Sequence, residues 1–280
     1  MTAPGPTGIL VVDKPGGMTS HDVVSRARRA LGTRKVGHAG TLDPMATGVL
    51  VLGVGRATKL LGQLTLTTKA YDARARLGTA TTTDDAEGEP LGEVADTSGL
   101  TADAVTDALT AMLGEIDQVP SSVSAVKVDG KRAYARVRDG ETVALPPRRV
   151  RIDALDVHEV ALPEVAFSVR CSSGTYVRAL GRDAGEALGV GGHLVALRRT
   201  EVGPFALADA AALDEVTADA LLTMEEAAQD EHLRARGTIV DVNGATQSGP
   251  APRFSRTSPE APTPPPVPGR DNDAVLSDWG

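Results

Sequence analysis

The chain's sequence between residues 37 and 48 reads Gly37-His-Ala-Gly-Thr-Leu-Asp-Pro-Met-Ala-Thr-Gly48. The proline that follows Asp43 favours extended backbone at Asp43, and Pro44 suits the first position of a helical turn. One interpretation is that Asp43 simply caps a turn over residues 44–47, and spacing alone favours it. The other is that a carboxylate on a stiff, glycine-flanked loop beside a basic helix acts as a nucleophile or a base.

The segments on either side of this loop predict both strands and helices. Apolar or alternating stretches predict strands at Gly8–Val12, Val49–Val54, Ala70–Leu77, Ser121–Val128, Val150–Val160 and Glu164–Cys171, and within His193–Val202. Helical patterns occur over residues 20–31, with Thr19 or Ser20 as cap and Gly32 as stop, and over 57–66, 101–114, 131–138 and 175–188. No regular βαβ repeat is present, so we predict an α+β fold with a largely antiparallel sheet flanked by helices and loops.

Composition divides the chain near residue 228. Eight of the 18 prolines lie between Ser248 and Arg270, together with Ser and Thr. A segment of this composition buries too little apolar surface to fold. We therefore predict one catalytic domain over residues 1–228 and a Pro-rich, disordered tail over residues 229–280.

Several classes of protein and of site are disfavoured. The only cysteine, Cys171, cannot form an intrachain disulfide, which fits a reducing compartment, and we expect its thiol to be buried and inert. No signal peptide or 18-residue apolar span is visible, so we expect a soluble cytoplasmic protein. One cysteine and five histidines cannot build a closed zinc site, and no nucleotide-binding motif occurs. We expect neither a metal nor a cofactor.

Charge is distributed unevenly along the chain. The net charge of −8 taken whole argues against a nucleic-acid binder. By segment, however, it is +7 over residues 1–79, −10 over 80–119, +4 over 120–200 and −9 over 201–280. Each block alone can be an ordinary solvated surface. The alternative is that both basic blocks share one face that attracts a polyanion, while the acidic segments face away from it.

The loop around Asp43 also resembles the catalytic motif of the TruB-type tRNA pseudouridine synthases. Six further motifs occur in that family's order and at compatible spacing: 8–22 (Gly-Ile-Leu-Val-Val-Asp-Lys-Pro-Gly-Gly-Met-Thr-Ser-His-Asp), 57–59, 69–71, 124–127 with 130–134, 173–178 and 193–199. The resemblance covers roughly residues 8 to 216. It implies the pseudouridine synthase fold, although a PUA-type RNA-binding domain, frequent in bacterial members, is not recognisable here.

The resemblance implies isomerisation of uridine 55 in the T-loop of tRNA to pseudouridine. The base is extruded, detached from ribose C1′, turned and rejoined through C5, which needs no cofactor. The expected partner is the T-arm stem-loop of tRNA. We expect the protein to be a monomer and to have no membrane partner. Two alternatives remain: a non-catalytic tRNA-binding or tRNA-folding protein, and a synthase of the same fold that acts on another RNA.

Site residues follow from the resemblance position by position. Asp43 matches the catalytic aspartate, acting either at C1′ as a nucleophile or at C2′ as a base, and Arg178 matches the arginine that pairs with it. Tyr71 matches the tyrosine that stacks on the target base and lies near C5. The expected substrate-binding residues are Tyr176 and Leu197 in the base pocket, His38 against the RNA loop, and Lys14 supporting the site from the first strand.

Phosphate contacts are expected from basic residues near this loop. They would position the RNA without reading its sequence. The candidates are Arg26, Arg28, Arg29, Arg34, Lys35, Arg56 and Lys59.

Overall fold

The structure, a computed structural model, describes residues 5–121, 127–128, 131–132, 145–217, 221–229, 239–242 and 245–248. Its strands are β1 (Gly8–Lys14), β2 (Val36–His38), β3 (Thr47–Val54), β4 (Lys69–Leu77), β5 (Ala80–Thr81), β6 (Pro90–Leu91), β7 (Gly114–Gln118), β8 (Lys127–Val128), β9 (Lys131–Arg132), β10 (Arg148–Ala161), β11 (Glu164–Cys171), β12 (Gly192–Val202), β13 (Phe205–Ala206), β14 (Ala211–Ala212), β15 (Ile239–Val242) and β16 (Ala245–Ser248). Its helices are α1 (Ser20–Ala30), α2 (Leu61–Thr65), α3 (Ala102–Thr110), α4 (Val177–Ala187) and α5 (Met224–Gln229), with 3-10 turns at Gly55–Leu60 and Leu207–Asp209.

Ten strands form one mixed sheet in the order β14-β1-β3-β12-β4-β11-β10-β7, with β13 beside β12 and β2 beside β3. Among the strand pairs of this sheet that the structure describes, only β1–β14 and β3–β12 are parallel. The predicted α+β class with a largely antiparallel sheet is confirmed. The central strands β3, β12 and β4 bring residues distant in sequence to one region of the sheet.

Helix α1 begins where the sequence predicts. The Thr19 hydroxyl accepts a bond from the backbone N–H of Asp22, and the Asp22 carboxylate accepts one from the backbone N–H of Thr19, which completes a capping box. Val23, Val24 and Ala27 face the core, leaving the arginines of the last turn exposed. Strand β4 shows the predicted alternation, which puts Tyr71 on the buried face.

Two helix predictions differ from the structure. The predicted helix over 101–114 ends at Thr110, and Gly114 begins strand β7 instead, because its φ of 90° suits glycine and not a helix. Lys131 and Arg132, the predicted start of a basic helix, form the hairpin strand β9 with β8, joined by Asp129-Gly130, a pair that favours tight hairpins. Residues 122–126 of the predicted strand 121–128 and residues 133–138 of the predicted helix 131–138 lie outside the described residues.

The predicted tail over residues 229–280 falls partly on described residues. The second unit of the chain begins at Leu222, and in it β15 and β16 pair as an antiparallel hairpin. Their β-branched residues flank Asn243-Gly244, a strong hairpin signal that the proline count further along the chain obscures. The rest of the predicted tail, residues 230–238, 243–244 and 249–280, lies outside the described residues. Among the described residues no helix is long and apolar enough to cross a membrane.

Candidate active site

A cavity of about 280 Å³ opens where the loop before β3 meets β4, β12 and the start of α4. Five of the predicted site residues line it: Asp43, Tyr71, Tyr176, Arg178 and Leu197. They come from four separate segments of the chain. The fold therefore assembles in one place residues that the sequence spreads over more than 150 positions.

The carboxylate of Asp43 is held by Arg178. Its Oδ2 lies 2.9 Å from Nε of Arg178, whose side chain is 4% exposed, whereas the Asp43 side chain is 35% exposed. The turn over residues 43–46 is closed by the backbone, since the Asp43 carbonyl accepts a bond from the Ala46 N–H. The carboxylate is thus oriented by a buried guanidinium while keeping one side open to the cavity.

Arg178 is itself fixed by the acidic segment. Its Nη1 lies 3.2 Å from Oδ2 of Asp85 and donates a 2.5 Å hydrogen bond to the Thr83 carbonyl. Asp85 is 4% exposed and also accepts bonds from the Thr83 hydroxyl and the Glu87 N–H. The expectation that residues 80–119 face away from the site is therefore wrong for this turn, because two of its carboxylates are buried among arginines.

The second of those carboxylates belongs to Asp84, one residue earlier. It accepts hydrogen bonds from Arg182 on α4 at 2.9 Å and from the Ser121 hydroxyl at 2.6 Å. Asp84 has a φ of 59°, which is rare for a residue other than glycine. This left-handed turn lets two consecutive aspartates meet two arginines one helical turn apart.

The loop that carries Asp43 is tied down along its length. The Ser20 hydroxyl bonds both the carbonyl and the N–H of Leu42. Arg199, 1% exposed, donates to the carbonyls of Gly40 and Thr41 at 3.2 and 3.3 Å. The loop cannot move far without breaking buried polar contacts, each of which costs about 1–3 kcal/mol when left unmade.

Lys14 supports the same loop from β1. Its Nζ, fully buried, donates to the carbonyls of Pro15, Met18 and Pro44 at 2.9, 2.6 and 3.2 Å. An ammonium has three protons, so these carbonyls occupy all of them. Burial lowers the pKa of Lys14, while the negative charge of Asp43 raises it. The geometry suits the expected supporting role and leaves no N–H for a substrate.

Gly48 lets strand β12 approach the end of this loop. A Cβ at Gly48 would lie 2.1 Å from the carbonyl oxygen of Arg199, and its φ of 100° is one that other residues avoid. Arg199 pairs with Gly48 across the parallel β3–β12 contact. This close approach is what allows the Arg199 side chain to reach back to the loop.

Tyr71 forms part of the cavity wall with its hydroxyl largely out of water. Its side chain is 7% exposed. Burial raises the pKa of the Tyr71 hydroxyl, and the positive charge of Arg199 opposes that rise. The phenol is therefore protonated at neutral pH and can donate a hydrogen bond within the cavity.

Tyr176 is positioned through its backbone. The amide of Gln118, 2% exposed on β7, accepts from the Tyr176 N–H at 2.8 Å and donates to the Tyr176 carbonyl at 3.1 Å. Tyr176 directly precedes α4, so this pair of bonds also fixes the end of the helix that carries Arg178.

Comparison with known proteins agrees with this geometry. The family model of the TruB pseudouridylate synthase N-terminal domain matches residues 28–177, and that of the tRNA pseudouridylate synthase B C-terminal domain matches 178–241. The chain belongs to the TruB family of pseudouridylate synthases.

Two curated TruB relatives are named tRNA pseudouridine synthase B. The protein from Corynebacterium efficiens is 55% identical over 85% of this chain and 80% of its own length. The protein from Nocardia farcinica is 60% identical over 81% of this chain and 74% of its own length. A solved Cbf5-Nop10-Gar1 complex contains a chain that is 30% identical, with a TM-score of 0.60 over 79% of this chain and 61% of that chain. The predicted pseudouridine synthase fold is confirmed.

His38 is not brought to the cavity wall with the other predicted TruB residues. It lies half-buried at the end of β2, with its ring edge-on to His21 at a centroid distance of 5.5 Å. Burial lowers the pKa of His38, and the charges of His21 and Arg199 lower it further. A neutral ring just before the loop stays compatible with the expected RNA contact, which remains a prediction.

Sequence reasoning missed three residues that shape this TruB site: Asp85, Arg199 and Gln118. Asp85 sits in a segment whose net charge suggested a solvated surface, and only the tertiary contact with Arg178 reveals it. Arg199 belongs to the motif at 193–199, but its burial had no local signal. The side-chain amide of Gln118 bonds the backbone of Tyr176, which lies 58 residues away in sequence.

The candidate phosphate contacts and the single cysteine lie outside the cavity wall. The seven candidate phosphate contacts are exposed, but the Arg28 guanidinium donates a 2.8 Å bond to the Val36 carbonyl and so also holds β2. Cys171 is 1% exposed, and burial raises the pKa of its thiol to about 11. The predicted inert thiol fits that burial.

Proposed function

We propose that this TruB-family protein isomerises uridine 55 in the T-loop of tRNA to pseudouridine. The observation that carries the proposal is the Asp43 carboxylate, held at 2.9 Å by the buried Arg178 in a cavity that Tyr71 also lines. Curated relatives at 55% and 60% identity carry the name tRNA pseudouridine synthase B, which favours tRNA over another RNA as substrate.

Asp43 supplies the reactive group. The half-open carboxylate can attack ribose C1′ or remove a proton from C2′, and both routes break the N1–C1′ bond. The freed uracil turns in the cavity and C5 bonds to C1′. That bond displaces the Asp43 carboxylate from C1′ in the first route, and in the second Asp43 returns the proton to C2′. C5 then loses its proton and N1 gains one. Atoms and charge balance without an external reactant.

Base extrusion is offset inside the cavity. Unstacking a base costs a few kcal/mol, and an aromatic contact returns about 1–3 kcal/mol per base. Tyr71 and Tyr176 are the aromatic rings in the wall. Tyr71 keeps its hydroxyl proton at neutral pH, so it suits a hydrogen bond to the turning base and a relay for the C5 proton.

Tritium release tests this proposal. T-arm stem-loop transcripts carrying [5-³H]uridine lose label to water when C5 bonds to C1′, and a transcript with cytidine at position 55 serves as control. We expect about one tritium released per molecule from the uridine-55 transcript and none from the control. Binding without release would favour the non-catalytic alternative. Release from the control, or only from another RNA, would contradict the assignment to position 55.

A further inference from the structure

Four cationic side chains line the cavity: Lys69, Arg148, Arg178 and Arg199. Three of them are engaged by the protein itself. Lys69 donates to the carbonyls of Thr65 and Thr67 at 2.9 Å, Arg199 donates to three loop and strand carbonyls, and Arg178 binds two carboxylates. All three are also buried.

Arg148 differs from these three. It opens strand β10, its side chain is exposed, and within the part of the chain that the structure describes it makes no ion pair or side-chain hydrogen bond. A guanidinium carries five donors and a permanent charge, and it matches the geometry of phosphate. Arg148 is exposed at the wall of the cavity, so its guanidinium is available to a phosphate. Every nucleotide that enters the cavity carries this anionic group.

The neighbouring arginine provides a contrast. Arg149 points to the other side of the strand, where Nη2 lies 2.9 Å from Glu115 and Nη1 lies 3.4 Å from Asp117. Arg149 does not line the cavity. Alternation along β10 therefore separates two adjacent arginines, one paired with acids and one facing the site.

We propose that Arg148 binds a phosphate that flanks the target uridine and holds the extruded nucleotide at the mouth of the cavity. This inference rests on the proposed function. It assigns Arg148 a substrate-binding role in addition to the surface arginines of α1. The contact forms with the backbone and not the base, so it contributes affinity and positioning without sequence preference.

Replacing Arg148 should weaken RNA binding in a salt-dependent way. We expect Arg148→Gln to raise the Kd for T-arm RNA about tenfold and to reduce the magnitude of the log Kd against log salt slope by about 0.7–0.9, the value for one lost phosphate contact. Arg149→Gln removes the same charge one residue away and should change Kd less than twofold. Arg148→Lys keeps the charge and should recover part of the lost affinity.

A methylphosphonate substitution locates the contact. Synthetic T-arm RNAs carry a neutral methylphosphonate either 5′ or 3′ to the target uridine. One of them should weaken wild-type binding about tenfold and should not weaken Arg148→Gln further. Equal losses in both proteins at both positions, or equal salt slopes for Arg148→Gln and Arg149→Gln, would overturn the inference. Tritium release by the wild type is measured separately on unmodified RNA. Its absence would contradict the proposed function and would leave the phosphate contact of Arg148 to be judged from the binding data.

Discussion

The loop over residues 40–46 and the basic helix α1 use charge in opposite ways. Around the loop, buried cations are consumed by protein acceptors: Lys14 and Arg199 bind carbonyls, and Arg178 binds two carboxylates. On α1, the arginines are exposed, and only Arg28 among them has a hydrogen bond that the structure describes, to the Val36 carbonyl. The first arrangement fixes a reactive group in place, and the second leaves charge available for a polyanion. The comparison predicts that variants of the two regions separate chemistry from binding.

The largest effect is expected for Arg178→Lys. Lysine keeps the charge but cannot span Asp43, Asp85 and the Thr83 carbonyl at once, so the Asp43 carboxylate loses its orientation. We expect kcat to fall about 100-fold or more, the scale of a 1 Å misplacement, with Kd for T-arm RNA nearly unchanged. Multiple-turnover tritium release at saturating RNA measures kcat, and filter binding measures Kd. A kcat within threefold of wild type would show that orientation by Arg178 is dispensable.

A smaller loss is expected for Asp85→Asn. It removes the negative charge that contacts Nη1 of Arg178 while keeping a side chain of the same shape. We expect kcat to fall at least about tenfold, the lower end of the range for one charge-assisted contact of about 1.5–3 kcal/mol. Asp107→Asn, in the same acidic segment but exposed on α3, is the matched control. Equal activities of the two variants would show that Asp85 does not contribute to the site and that the acidic segment is an ordinary solvated surface.

Ser20→Ala tests the bracing of the loop from its other side. It leaves the Leu42 N–H and carbonyl without their buried partner, which should lower the free energy of unfolding by about 1–3 kcal/mol. We expect kcat to fall only severalfold, because Arg199 and Lys14 still hold the loop. Ser25→Ala, exposed on the same helix, should be neutral in thermal or denaturant unfolding. Equal unfolding free energies for the two variants would show that the Ser20 bonds contribute nothing.

The smallest effect on chemistry is expected on α1 and just after it. The double variant Arg29→Gln/Arg34→Gln should weaken RNA binding and make its salt dependence shallower, by about 0.7–0.9 per lost phosphate contact, with single-turnover rates unchanged. Arg28→Gln should in addition lower stability, because its guanidinium bonds the Val36 carbonyl. A salt slope identical to that of wild type would remove these arginines from the RNA interface.

Local pattern was sufficient for much of this fold. The Thr19 cap, the apolar run of β3 and the alternation of β4 each depend on residues close in sequence, and each forms as predicted. The contacts of Asp85 and Arg199 could not be predicted in this way. Both are charged residues whose burial depends on partners about 90 to 160 positions away, and segment charge averages them with exposed neighbours. The hairpin at 239–248 was missed for the opposite reason, because a strong local turn lay beside a Pro-rich stretch.

The most direct test of the account is Asp43→Asn, assayed at saturating enzyme on T-arm RNA labelled at C5. The amide keeps the shape of the side chain but removes the charge that faces Arg178 at 2.9 Å. The account predicts wild-type RNA affinity and salt dependence together with no detectable tritium release in a single turnover. Release at a rate close to wild type would contradict it, since the carboxylate would then not be the group that acts on the ribose.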